Sequence, residues 1–384
     1  MTRQPVRRKR TARATAASAA RPTALVAGLA ALALLAGCSV SPPQSTAEPT
    51  APSGPLVPLS ELAVSADPRA LTGPSTALIQ SASIEPVSDN PAQSLPVTVV
   101  SRDLDGDRDV VVKDASRVLP LDIAGSIAST VFALGFGDDV VGRDISTTFP
   151  EADGLPIVTS SGHAISSEAV LALRPTLVIT DGTVGPTDVV LQLREAGVTV
   201  VYVDAEPGLG APAELARQVS AALGSPETGE LLAQRLEQEL ADVLAAIESI
   251  RPDDPADRVR ILFLYLRGAS GIYYLFGEES GADELITGLG GIDVAGEIGW
   301  KGLRPMTDEA LVAANPDLIL VMTGGLESVG GIDGLLAEKP AVGLTRAGET
   351  RRFVDMDDGE VLSFGPRTPA VLDALARAIY APGS

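Results

Sequence analysis

Two residue types are nearly missing from this 384-residue chain, basic residues are scarce, and each shortage excludes a class of chemistry. There is one cysteine, Cys38. No intrachain disulfide or thiolate metal cage can form, and the fold has to rest on its core. There is one histidine, His163, which rules out a zinc or manganese site of several imidazoles. Lys and Arg number 29 against 50 Asp and Glu, a formal net charge of −21. Seven of the basic residues and none of the acidic ones fall in residues 1–37, so the remainder carries 22 basic against 50 acidic groups, a net of −28. Such a surface repels nucleic-acid phosphates, and no nucleic-acid partner is expected. Catalytic signatures are missing too. There is no GxSxG elbow, no P-loop, and no ordered GxGxxG after a strand; "GLGGIDVAG" (288–296) lacks the third glycine at its proper spacing. Ser160 and Ser161 lie too close in sequence to His163 for ready contact as a nucleophile–base pair. The chain is not expected to be an enzyme or to carry a catalytic cofactor.

What is present begins at the N-terminus. Arg7, Arg8, Lys9 and Arg10 precede an apolar run from Ala24 to Leu35, which leads into Leu35-Ala36-Gly37-Cys38. A basic start, a short apolar stretch and small residues at the break describe an export signal. The run is short of the roughly 20 residues that a bilayer-spanning helix needs. The final four residues resemble a bacterial lipobox. That resemblance implies a lipoprotein signal peptide over 1–37, lipidation of Cys38, and anchoring on the extracytoplasmic face of the bacterial cell membrane. Residues 38–55 are rich in Pro, Ser, Thr and Ala and read as a flexible tether.

Residues 56–115 read as a partly ordered N-terminal extension. "LPVTVVSRD" and "RDVVVKD" flank Asp105-Gly106, a hairpin signal. From 116 to 225 the strand-like segments "SRVLPLD", "DVVGRD", "LPIVTS", "PTLVIT" and "VTVVYVD" alternate with helical ones, including 126–135, 166–173 and 187–196. Over 226–250, Leu232, Leu236, Leu240, Val243 and Ile247 recur at helical spacing, one apolar stripe on a helix of roughly 37 Å. A second series fills 251–384, with strands "RVRILFLYL", "IYYLFG", "PDLILVM" and "RRFVDM" and a closing helix "PAVLDALARAIY". The pattern predicts an α/β protein: two lobes with mainly parallel sheets joined by one long rigid helix.

The halves share a unit. "SSEAVLALRPTLVIT" (166–180) aligns without gaps to "TDEALVAANPDLILV" (307–321), pairing Glu168 with Glu309 and Pro175 with Pro316. Ser166 and Thr307 suit helix N-caps, and each glutamate sits where the helix dipole favours it.

In open α/β sheets, ligands bind beyond the carboxyl ends of the strands. That rule draws attention to His163 after "LPIVTS", to Tyr265 and Arg267 ending "RVRILFLYL", and to Met322 ending "PDLILVM". His163 either faces a ligand or is a solvated loop residue. Tyr265 and Arg267, two apart on a strand, share a face, either as a site or as core packing with a solvated strand end. A phenol oxygen is a hard donor and an imidazole a nitrogen donor, so both residue types suit metal ligation. A nearby cation favours the phenolate, whose ordinary pKa of about 10 would otherwise keep it protonated. Met322 and Trp300 are possible cleft-lining residues, and Arg304 is a possible partner for a carboxylate. Tyr273 and Tyr274 alternate on a strand, so at most one faces the cleft.

Lipobox, two lobes and one connecting helix resemble the substrate-binding lipoproteins of ABC importers, in the cluster that carries haem, cobalamin and ferric siderophores. Within residues 116 to the end, "GHAISSEAVLALRPTLVI", "YLRGASGIYYLFGEESGADELI" and "VMTGGLESVGGIDGLL" resemble actinobacterial haem-binding proteins of the HmuT type. The resemblance implies a monomer that carries haem as its transported ligand, with His163 and Tyr265 as the iron ligands and Arg267 supporting the tyrosine. It also implies an ABC permease and its ATPase as partners, docked through Glu168 and Glu309. The same fold carrying a ferric siderophore or a corrinoid is the alternative, followed by a surface haem-relay protein or enzyme without a transporter.

Overall fold

The computed structural model describes residues 54–383 apart from 161, 205 and 306. Cys38 and the expected signal peptide lie outside the described residues.

The chain first lays down a two-residue strand, β1 (Ser75–Thr76), and then the hairpin β2 (Val97–Ser101) and β3 (Arg108–Val112). The hairpin expected around Asp105-Gly106 forms, with Val97 opposite Val112 and Ser101 opposite Arg108. The first lobe follows with β4 (Val118–Leu121), α1 (Ser126–Ala133), α2 (Ser167–Leu173), β5 (Leu177–Thr180), α3 (Thr187–Glu195), β6 (Thr199–Tyr202) and α4 (Ala211–Ala222). β4, β5 and β6 form a parallel sheet in that order. Their Val/Leu/Ile runs are continuous rather than alternating because layers cover both faces of the sheet.

Two expected strands do not form. "DVVGRD" and "LPIVTS" contribute only single bridges, Val118 to Val140, Arg143 to Ile157 and Thr159 to Ile165. Side-chain hydrogen bonding competes with the ladder here. The Asp144 carboxylate accepts from the amides of Ser146 (2.7 Å) and Thr147 (2.9 Å), turning the backbone after Arg143. Pro156 in turn has no amide to donate.

Helix α5 (Pro226–Ile250) leads out of the first lobe. Its apolar stripe explains why one helix serves two lobes. Leu232 and Leu236 belong to the first lobe's core, while Leu240, Val243 and Ile247 belong to the second's. The second lobe comprises β7 (Arg260–Arg267), β8 (Ile272–Phe276), α6 (Ala282–Gly288), β9 (Ile292–Asp293), α7 (Val294–Glu297), β10 (Leu303–Pro305), α8 (Asp308–Ala314), β11 (Leu318–Met322), α9 (Thr323–Ser328), α10 (Gly331–Glu338), α11 (Arg346–Thr350), β12 (Phe353–Met356) and α12 (Thr368–Tyr380). Its sheet runs β1-β12-β11-β7-β8-β10, with β9 also on β7. The four strands from β1 to β7 are parallel, whereas β8 and β10 join antiparallel.

Residues 56–115 run along both lobes. Ala77 N–H donates to Asp355 O (2.7 Å) in the second lobe, and Val87 N–H to Ala133 O (2.7 Å) in the first. The hairpin then joins β6 through Arg102 N–H to Tyr202 O (2.9 Å). The repeated unit is also plain. α2 and α8 are capped by Ser166 Oγ and Thr307 Oγ1, which accept from Ala169 N–H and Ala310 N–H at 3.3 and 3.2 Å. Both helices end on a left-handed residue, Arg174 and Asn315.

Candidate functional site

The carboxyl ends of both parallel sheets meet at the seam between the lobes. A cavity of about 190 Å³ there is lined by Ile123, Asp181 and Thr183 of the first lobe and by Leu362, Ser363 and Phe364 of the second. It is below the roughly 300 Å³ at which small-molecule pockets begin, so it marks where the rims touch rather than a full ligand seat.

On the first lobe, His163 occupies a tight loop with φ +58°. Its N–H donates to Ser160 O (3.0 Å), and its carbonyl accepts from Gly185 N–H (3.3 Å). Gly185 is two residues past Thr183 on the rim, which ties the histidine loop to the cleft edge. The imidazole is half-buried. Its Nδ1 is buried with no hydrogen-bond partner among the described residues, so nothing there fixes the tautomer.

Three carboxylates lie under this rim. Asp122 follows β4, is fully buried, and accepts from Ser126 N–H (2.8 Å), Ser126 Oγ–H (2.8 Å) and Ile127 N–H (3.2 Å). Burial, reinforced by the neighbouring charges of Asp144 and Asp181, pushes its carboxyl up to about 8 despite those hydrogen bonds. Burial also raises Asp144 and Asp181 above the ordinary carboxylate range.

On the second lobe, Tyr265 is half-buried at the end of β7 and meets Phe276 edge-on, with centroids 5.7 Å apart. The Arg267 guanidinium lies over the Tyr265 ring face, 4.5 Å from its centroid. The expected shared face is therefore observed, and the cation sits on the ring rather than at the hydroxyl. The guanidinium is held by Leu266 O (2.8 Å) and the Asp358 carboxylate (3.0 Å), and it approaches Met322 Sδ at 3.8 Å. Tyr265, Arg267 and Met322 are thus gathered on one face. Tyr274 is the cross-strand partner of Tyr265 and shares that face. Tyr273 points to the other face, where its hydroxyl donates to the Glu338 carboxylate.

Two expected lining residues are not brought to this group. Trp300 packs against the cluster on the opposite face of the sheet, and its indole N–H is buried without a partner among the described residues. Arg304 pairs in register with Leu275, whose side chain belongs to that same opposite cluster. The register of β10 on β8 sets Arg304 apart from Tyr265, and the segment between α7 and β10 carries Trp300 to the opposite face. Asp358 was missed by sequence reasoning. It lies in "DMDDGE" just past β12, and the strand-end rule that selected Tyr265 and Met322 applies equally to that loop.

The two-lobed α/β frame, with the ends of both parallel sheets at one seam, is that of a solute-binding protein. Residues 123–359 match the family described as periplasmic binding protein, and the chain belongs to that family. Among solved structures it is similar to the heme-binding protein HmuT, with 39% identity and a TM-score of 0.76 over 82% of this chain and 99% of that one. It is also similar to the periplasmic heme-binding protein RhuT from Roseiflexus sp. RS-1, with 38% identity and a TM-score of 0.63 over 71% of this chain and 100% of that one. A curated relative is the uncharacterized ABC transporter substrate-binding lipoprotein YvrC of Bacillus subtilis (strain 168). It is 25% identical over 288 residues, 74% of this chain and 86% of the relative. The family and these relatives are described as binding proteins rather than as enzymes, the Bacillus relative as one of an ABC transporter and the two solved structures as heme-binding.

Proposed function

We propose that this chain is a lipid-anchored haem-binding protein that captures haem between its lobes and delivers it to an ABC importer. The observation that carries the reading is the Arg267 guanidinium stacked on Tyr265 at the rim of the second lobe. A tyrosine oxygen is a hard donor for ferric iron, and the Arg267 cation against the ring fixes where that donor stands. His163, on the loop bonded to the first lobe's rim, supplies an imidazole for the opposite side of the macrocycle. Its Nδ1 has no competing partner among the described residues. Met322 packs the apolar ring edge. The similarity to HmuT supports this reading. So do solved HmuT variants in which an arginine, a tyrosine or a histidine is replaced, the residue types proposed here. The lipobox at Cys38 and the lipoprotein relative support anchoring on the outer face of the cell membrane. The proposed division of the chain is signal peptide 1–37, tether 38–55, extension 56–115, lobes 116–225 and 251–384, and inter-lobe helix 226–250.

The test is an absorbance titration of the signal-free protein with ferric haem. A saturable Soret change is expected, with His163→Ala and Tyr265→Ala each altering the bound spectrum and weakening binding. A Soret band indifferent to both substitutions, or binding of a ferric siderophore or corrinoid in preference to haem, would reject the assignment.

A further inference from the structure

We infer that Asp358 is a positioning residue for Tyr265, acting through Arg267. This inference rests on the haem reading. Arg267 is a long side chain at the end of a strand, about one-third exposed, and such a side chain loses substantial rotamer freedom when fixed. Three contacts hold it over the phenol ring. The thioether of Met322 at 3.8 Å is a weak acceptor, and Leu266 O at 2.8 Å belongs to the adjacent residue. Among the described residues Asp358 is the one charged anchor, at 3.0 Å.

The carboxylate is itself pinned from outside β7. Asp358 Oδ1 accepts from Gly324 N–H at 2.8 Å, just past the end of β11. An exposed ion pair alone contributes little, but a carboxylate fixed at its other oxygen sets where the guanidinium rests. The loop also touches the other lobe. A Cβ placed on Gly359 would lie 2.9 Å from Thr148 Oγ1 of the first lobe. The residue after Asp358 is therefore wedged against the lobe that carries His163, so the anchor of Arg267 is held at the seam between lobes. Arg267 stands directly on the ring and Asp358 lies beyond it, so the nearer charge at Tyr265 is positive.

Three variants, Asp358→Ala, Arg267→Ala and the double substitution, decide the matter through two measurements. In the haem-free protein, NMR relaxation of the Arg267 Nε–H is expected to report an ordered guanidinium that becomes mobile in D358A. In the ferric haem complex, the iron–tyrosinate vibration in resonance Raman is expected to move in D358A in the same direction as in R267A. Haem dissociation should quicken by a few-fold to about tenfold, the range of a single cation–π contact. D358A should add nothing on top of R267A. An Arg267 that stays ordered in D358A overturns the inference, as does a D358A effect of equal size with and without Arg267. If the wild-type complex shows no iron–tyrosinate signature that Tyr265→Ala removes, the haem reading fails instead. The haem-free NMR result still decides whether Asp358 holds Arg267.

Discussion

The backbone N–H of Asp122 donates to the Asp144 carboxylate at 3.2 Å, which brings two buried acids together beneath the rim of the first lobe. Asp122 is raised to about 8 by burial and by the charges of Asp144 and Asp181, so the folded protein keeps a proton that the unfolded chain releases near pH 4. The folded state binds more protons across that window, so unfolding free energy falls as pH rises. The contribution is complete below about pH 4 and is lost as pH climbs towards 8, with a slope of about 1.4 kcal/mol per pH unit for one retained proton. Glu360, pushed up to about 7 by burial, adds to the same trend. Urea midpoints are therefore expected to be higher at pH 5 than at pH 8, and Asp122→Asn should flatten the difference. A midpoint that holds or rises between those pH values, or an Asn variant with an unchanged slope, contradicts this assignment.

How much of this was readable from sequence follows from the range of the interactions. The inter-lobe helix was legible because Leu232 to Ile247 keep one period through most of a 25-residue helix. The repeated helix–strand units were legible because caps and turns act within a few residues. "DVVGRD" failed because Asp144 satisfies neighbouring amides that a ladder would need, a choice decided by burial rather than by propensity. β1 was invisible because two residues pair with a strand some 280 positions away, Ser75 with Val354. Within the site, parity along β7 put Arg267 beside Tyr265. The side of the sheet that Arg304 takes depends on how β10 registers against β8, and no periodicity encodes that. The choice between Tyr273 and Tyr274 likewise needed the cross-strand pairing of Tyr265.

Gly229 tests how firmly the first lobe is fixed to α5. A Cβ at that position would lie 1.7 Å from Ser220 Oγ, 2.5 Å from Ser220 Cβ and 3.0 Å from Ala216 O, all on α4. Ser220 is fully buried and cannot swing aside. Gly229→Ala must therefore push α4 and α5 apart, even though Ala is the better helix former. The expected loss is about 1–3 kcal/mol in denaturant unfolding, typical of overpacking. Adding Ser220→Gly should recover part of it, whereas Ser220→Ala should not, because the Cβ clash remains. A neutral or stabilising Gly229→Ala would mean that the helix pair is loosely packed and that α5 is not rigidly fixed to the first lobe.

Glu168 and Glu309 occupy the same place in the two halves, each exposed in the first turn of a seven-residue capped helix. Neither carboxylate enters an ion pair among the described residues, so the helix dipole is what each meets within this chain. That interaction is worth about 0.3–1 kcal/mol per residue. Two matched, uncommitted carboxylates, one on each lobe, suit a receptor with cationic side chains spaced to receive both. If they dock the loaded protein on a permease, reversing both charges with Glu168→Arg and Glu309→Arg should abolish haem uptake by proteoliposomes carrying the cognate importer. The ferric haem titration should stay unchanged, and thermal stability should fall only by the lost dipole terms. The paired Gln substitutions should fall between the wild type and the reversal, since they remove attraction without adding repulsion. Full uptake by the doubly reversed protein would reduce the two glutamates to helix-end stabilisers and place the importer contact elsewhere.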